Sequence, residues 1–290
     1  VKLIASPILE ARAALGEGPL WDSQKAVLYW VDINNRRVHT FDPASGKDSF
    51  IDVGEKVGCV AKRAPSCGGG LIISLPEKFA ALDGDKVTPL AHLEGGLGNR
   101  MNDGKCDPGG RFWCGSMHPD FTAGAGNLWM MDRDLSVERK IGGVTISNGL
   151  AWSREAKTMY YIDTPTGQID AFDYDIATGA IANRRTAVKN SWGGYFDGMT
   201  IDSEDNLYVA IWEGGCVLKL DPRSGKLLAK IEVPGVKNVT CCTFGGKNMD
   251  ELFITSSGEG ADPGEEPHAG AVFHLALPNC KGLPAFEFLG

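Results

Sequence analysis

Leu28-Tyr29-Trp30-Val31-Asp32 is a short run of apolar, aromatic and β-branched residues, which is strand composition. Five further runs of the same kind follow it: Leu71-Ile72-Ile73-Ser74-Leu75, Phe112-Trp113-Cys114-Gly115-Ser116, Met159-Tyr160-Tyr161-Ile162-Asp163, Leu207-Tyr208-Val209-Ala210-Ile211 and Leu252-Phe253-Ile254-Thr255-Ser256. Their starting positions are 41 to 48 residues apart. That period is typical of a four-stranded propeller blade, and six repeats predict an all-β, six-bladed propeller.

The residues around these runs support the same unit. Val38-His39-Thr40-Phe41-Asp42-Pro43 is followed by Ser45-Gly46, Ile169-Asp170-Ala171-Phe172-Asp173-Tyr174 by Thr178-Gly179, and Val217-Leu218-Lys219-Leu220-Asp221-Pro222 by Ser224-Gly225. Each reads as a second strand ending at a turn, because Pro presets φ and Gly accepts φ > 0. No window holds a helical period over three turns without Gly or Pro, so helices should be few or absent. Residues 1–290 therefore read as one domain. A ring of blades closes when strands from both chain ends share a blade. The first dozen residues should pair with the blade containing Ala271-Val272-Phe273-His274-Leu275 and the tail Phe286-Glu287-Phe288.

Composition bounds the function. The 290 residues are 43% hydrophobic and 23% charged, ordinary for a folded protein, with a net charge of −8. That balance opposes nonspecific attraction to nucleic acid or anionic lipid, and no Lys/Arg run offsets it. No stretch approaches the roughly 18 apolar residues of a membrane span, and residues 1–7 lack the apolar centre of a signal peptide. Eight cysteines occur without a CxxC pair, which reads as free thiols in a reducing compartment. A soluble, cytoplasmic, monomeric protein is expected, with neither nucleic acid nor membrane as partner.

The innermost strand of each blade lines the axis of a propeller, so one register of that strand forms a ring. Counting back one hairpin from the six runs reaches Glu17, Val60, Asn102, Asn148, Asp197 and Cys241. Four of the six carry polar oxygen, and Gly follows each of them directly or after one residue. Any one of the four could simply be a turn former. Four at one register instead suggest a shared ligand, because carboxylates converging on an axis are costly to bury unpaired and a cation removes that cost. Two carboxylates and an amide oxygen suit Ca²⁺, Mg²⁺ or Mn²⁺, and also Zn²⁺ with water completing the shell. So few protein ligands leave positions open for a substrate. Arg100, two residues before Asn102, shares its strand face and should reach the mouth, where it suits a polyhydroxy or anionic ligand.

Four segments carry a family resemblance: Gly16-Glu17-Gly18-Pro19-Leu20-Trp21, Asn99-Arg100-Met101-Asn102-Asp103-Gly104-Lys105, Ser147-Asn148-Gly149-Leu150-Ala151-Trp152 and Asp197-Gly198-Met199-Thr200-Ile201-Asp202. In their order they resemble the signature segments of the regucalcin/gluconolactonase family, which includes the luciferin-regenerating enzymes. The similarity runs from about residue 10 to the end. It implies a six-bladed propeller that hydrolyses a sugar lactone with one divalent metal ion. It further implies Glu17, Asn148 and Asp197 as metal ligands, Asp197 also as the proton-transfer residue, and Arg100 and Asn102 as substrate contacts. The family's acidic substrate residue would fall in the loop Gly115-Ser116-Met117-His118-Pro119-Asp120-Phe121, where Asp120 is the approximate match.

Two other functions fit parts of this pattern: a calcium-binding regulator or scaffold without catalysis, and an esterase or luciferin-regenerating type of hydrolase acting on a non-sugar substrate. There is no Gly-x-Ser-x-Gly elbow, phosphate loop or His-x-x-x-His motif. The acidic segment from Glu259 to Pro267 reads as a solvated loop.

Overall fold

The computed structural model describes residues 2–93 and 98–290. It is a six-bladed β-propeller of six small antiparallel sheets. Blade 1 comprises Gly16–Asp22, Val27–Asp32, Arg37–Asp42 and Lys47–Asp52, in order from the axis outward. Blade 2 opens with Val60–Lys62, blade 3 with Arg100–Cys106, blade 4 with Ser147–Trp152, blade 5 with Tyr195–Ile201 and blade 6 with Val239–Gly245. Each of the six strand-like runs forms the second strand of its blade. The inner strands of successive blades pack side by side, and those of blades 6 and 1 complete the ring. Among the described residues the only helical segments are two single 3-10 turns, Pro65–Cys67 and Thr164–Thr166.

Burial falls from the axis outward. All seven residues of Gly16–Asp22 are buried, whereas the outer strand Ala180–Lys189 is mostly exposed. The core therefore lies between neighbouring blades. Trp21 of blade 1 stacks on Phe253 of blade 6 at 5.2 Å between centroids, and Trp113 of blade 3 meets Trp152 of blade 4 edge-on at 5.9 Å. Buried Asp107 holds the second contact in place: it accepts hydrogen bonds from Trp113 Nε1 at 2.8 Å and Tyr174 Oη at 2.7 Å. Aromatic surface of this size supplies much of the free energy that offsets chain entropy.

The turns behave as their residues predict. Asp42 accepts from Ala44 N and Ser45 Oγ, Asp221 from Arg223 N and Ser224 Oγ, and the glycines at 46 and 225 take positive φ. In blade 4 the strand runs on through Asp175, which takes the equivalent bonds from Ala177 and Thr178.

Ring closure differs in part from the expectation. Ser6–Leu9 pairs antiparallel with Val272–Ala276 as the outer strand of blade 6. Leu3–Ile4 instead adds a parallel fifth strand to blade 5, so one segment spans two blades; Val1 lies outside the described residues. The tail does not join blade 6. Phe288 bridges to Arg63 of blade 2 and exchanges backbone hydrogen bonds with Lys62 and Ala64, while Leu289 N donates to Gly110 O of blade 3. The cause is a buried anchor: the Phe288 ring is fully enclosed in the apolar cluster between blades 2 and 3, and Glu287 pairs with Lys62 at 2.9 Å.

Candidate metal and substrate site

Inner-strand irregularities aim the polar ring inward. The ladders of blades 1, 3, 4 and 5 each slip by one residue at or beside Glu17, Asn102, Asn148 and Asp197. Such bulges re-aim side chains and sharpen twist. Glycine beside the bulge permits close approach: a Cβ on Gly149 would lie 2.9 Å from Asp197 O, and one on Gly198 2.6 Å from Cys241 Cβ.

The four ring residues line the floor of a cavity of about 340 Å³ at the end of the channel where the inner strands begin. Glu17 and Asp197 are each 5% exposed, Asn102 and Asn148 4%. Val60 and Cys241 line a second, narrower chamber of about 70 Å³ further along the axis. The four polar members of the register thus meet at one cavity, and its two apolar members face the chamber beyond.

Hydrogen bonds tie this floor into a relay. Arg100 Nη1 donates to Asn102 Oδ1 at 2.6 Å, and Asn102 Nδ2 donates to Asn148 Oδ1 at 2.8 Å and to Ser147 O at 2.7 Å. Asn148 Nδ2 donates to Thr164 Oγ1 at 2.8 Å, and that hydroxyl donates to Phe196 O, next to Asp197. The relay fixes the Asn148 amide, with Oδ1 toward Asn102 and Nδ2 toward Thr164. Asn102, read from sequence as a substrate contact, spends both amide hydrogens on its neighbours and keeps only spare acceptor capacity.

Electrostatics set the carboxylates apart. Burial, and then the charge of Asp103, push Glu17 up to about 8 against the opposing Gly18 N–H, Arg100 and Lys105. Burial, followed by Glu17 and Asp103, raises Asp197 well above the usual carboxylate range, with Arg100 and the Gly198 N–H opposing. Neither forms an ion pair among the described residues. Burial pulls Arg100 below its ordinary value, countered by Glu17, Asp197 and Glu259. Asp103 is buried just beneath, with Oδ2 lacking a hydrogen-bond partner and its carboxyl raised by burial.

This donor set fits a hard divalent cation. Two buried carboxylates that repel one another, with an amide oxygen held beside them, are relieved by one divalent cation. The set is lean: among the described residues, no three His, Cys, Asp or Glu side chains gather as a metal cluster.

One sequence reading of the mouth changes and another is extended. The Asp120 side chain is 87% exposed, lies near His118 Nδ1 at 3.9 Å and is absent from the cavity wall. Its neighbour Phe121 takes that place, because the turn closed by Phe121 N to His118 O sends Asp120 outward. Glu259 is exposed, as a solvated loop requires, and in addition borders the cavity near Arg100. Only the loop path after Ser256 brings it there, and acidic composition carries no trace of that path.

An all-β ring with a polar, carboxylate-bearing floor on its axis defines a six-bladed propeller with a central polar pocket. The chain belongs to the SMP-30/gluconolactonase/LRE-like family, whose profile matches residues 15–258. It is 40% identical to regucalcin from Gallus gallus over 96% of both chains. Among solved structures, a luciferin-regenerating enzyme matches with a TM-score of 0.91 at 32% identity, covering 98% of this chain and 99% of that one. A regucalcin from Agrobacterium tumefaciens, described as a calcium-binding protein, matches with a TM-score of 0.92 at 27% identity, covering 99% and 98%. All eight cysteines are free, and no helix among the described residues is long and apolar enough to cross a membrane.

Proposed function

We propose that this protein hydrolyses a sugar lactone of the aldonolactone class to the aldonic acid, with one divalent metal ion held by Glu17, Asn148 and Asp197. The observation that carries the reading is the convergence of two unpaired buried carboxylates and a fixed amide on one cavity floor. Family membership supports a lactonase in general terms.

A divalent ion bound there supplies Lewis acidity toward the lactone carbonyl. Asp197 takes a proton from the attacking water and returns it to the ring oxygen as the acyl C–O bond breaks. Arg100, with donors left after bonding Asn102, faces the same space and holds polar substituents of the substrate. Asn102 orients Arg100 and Asn148, and Asp120 stands too far into solvent to serve from its present position.

The deciding experiment is a hydrolysis screen over five- and six-carbon aldonolactones with Zn²⁺, Mn²⁺, Mg²⁺ or Ca²⁺, with chelator and an aryl ester as controls. Metal-dependent opening of at least one aldonolactone is expected. No hydrolysis with any of the four ions would leave the non-catalytic, calcium-binding reading.

A further inference from the structure

The cavity is divided into a polar floor and an apolar upper wall. Above the ring lie Leu15, Met117 and Ile146, and at the mouth stand Phe121, Tyr195 and Trp212. Phe121 is 63% exposed and Tyr195 50%, two of the largest apolar surfaces that the chain leaves in water. Phe121 also holds a backbone φ of 55°, a left-handed conformation that a bulky residue seldom adopts. An aromatic ring kept exposed at a cavity mouth on unfavourable backbone is better matched to a ligand than to the protein's own packing.

The hydrogen-bond inventory points the same way. Asn102, Asn148 and Thr164 are committed to one another along the floor relay, and Glu17 and Asp197 face the proposed cation. What remains for a ligand is Arg100 and the spare acceptor capacity of Asn102, with the Tyr195 hydroxyl, the Trp212 indole N–H and Glu259 in the same lining. The hydroxyls of a sugar lactone can be met by these polar groups, but they leave the apolar upper wall uncovered. An alkyl or aryl group would instead cover Phe121 and Tyr195 and displace water from both.

We propose that the same site also opens lactones bearing an alkyl or aryl substituent, and that the substituent lies across Phe121 and Tyr195. This rests on the lactonase reading above. The acyl C–O bond of the ring breaks, water oxygen bonds to the carbonyl carbon, one water proton ends on the former ring oxygen, and the new carboxyl group releases the other.

The test compares kcat/KM for δ-valerolactone, its 6-hexyl and 6-phenyl derivatives and glucono-δ-lactone, in the metal-loaded wild type and in the Phe121→Ala/Tyr195→Ala double variant. A substituted lactone should exceed the unsubstituted ring by about tenfold or more, and the double variant should cut that ratio by about tenfold. Both residues are exposed, so the fold should survive, and a melting curve checks this. A ratio near one in the wild type overturns the proposal, as does an undiminished ratio in the variant. Turnover of gluconolactone with none of the substituted lactones sinks this proposal alone. Absence of turnover on every lactone sinks the lactonase reading with it.

Discussion

Lys105 Nζ donates to the carbonyl oxygen of Leu150, 3.2 Å away, and also to that of Met199. These carbonyls lie two residues beyond Asn148 and Asp197 on the inner strands of blades 4 and 5. One ammonium from blade 3 therefore ties together the two strands that carry half of the polar ring. Lys105→Met removes the charge at similar length and leaves both carbonyls without that partner, a loss of about 1–3 kcal/mol for each one left unsatisfied. The variant should melt earlier and bind divalent metal about tenfold more weakly by calorimetry. Wild-type metal affinity in a folded Lys105→Met protein would mean that the tie does not set the spacing of Asn148 and Asp197.

Asp197 is assigned both proton transfer and metal binding. Asp197→Asn keeps the size and one oxygen donor but removes the base, so kcat should fall by about 10²–10⁴. Saturating metal should not restore it. Full recovery of turnover at high metal concentration would reduce Asp197 to a ligand.

The raised Glu17 pKa predicts an unusual pH profile for the metal-free protein. Its folded value of about 8 lies above the ordinary glutamate value of 4.5, so the folded state retains a proton that the unfolded state has lost. Stability from this group is fully present below about 4.5 and drains away as pH rises through about 8. Melting temperatures without metal should fall across that window, and Glu17→Gln should flatten the slope. Metal should reverse the trend, with proton release on binding visible as a dependence of calorimetric heat on buffer ionisation enthalpy. A flat metal-free profile from pH 5 to 8 would contradict the assignment.

The Trp21–Phe253 stack joins the first blade to the last. Phe253→Ala should cost about 3–5 kcal/mol, as expected for a fully buried aromatic. Chemical denaturation at equilibrium measures it, and a loss under 1 kcal/mol would show that the seam is held chiefly by the strand pairing of Ser6–Leu9.

Legibility followed periodicity. The second strand of every blade was readable because a buried strand needs an unbroken apolar run, and Leu28–Asp32 sets a pattern that recurs at near-constant spacing. Glu17, Asn102, Asn148 and Asp197 were readable as a ring for the same reason, since a repeat turns one register into one place in space. The placements of Glu259, Phe121 and Phe288 were hidden. Each depends on a loop or tail whose route is decided by tertiary contacts, such as the turn that points Asp120 into solvent and Phe121 toward the cavity. The parallel pairing of Leu3–Ile4 with blade 5 was equally invisible, because two residues carry no period.

Residues Leu283 to Phe286 line the narrow chamber at the end of the axis opposite the cavity, and the segment is pinned on both sides, at Asp202 through Gly282 and at Arg63 through Phe288. The segment thus crosses the base of the axis as a strap, while the polar floor opens toward Phe121 and Tyr195 at the other end. A ligand moving between the floor and solvent by that mouth passes Phe121 and Tyr195 both on the way in and on the way out. A ligand that clings to that aromatic lip would slow its own replacement.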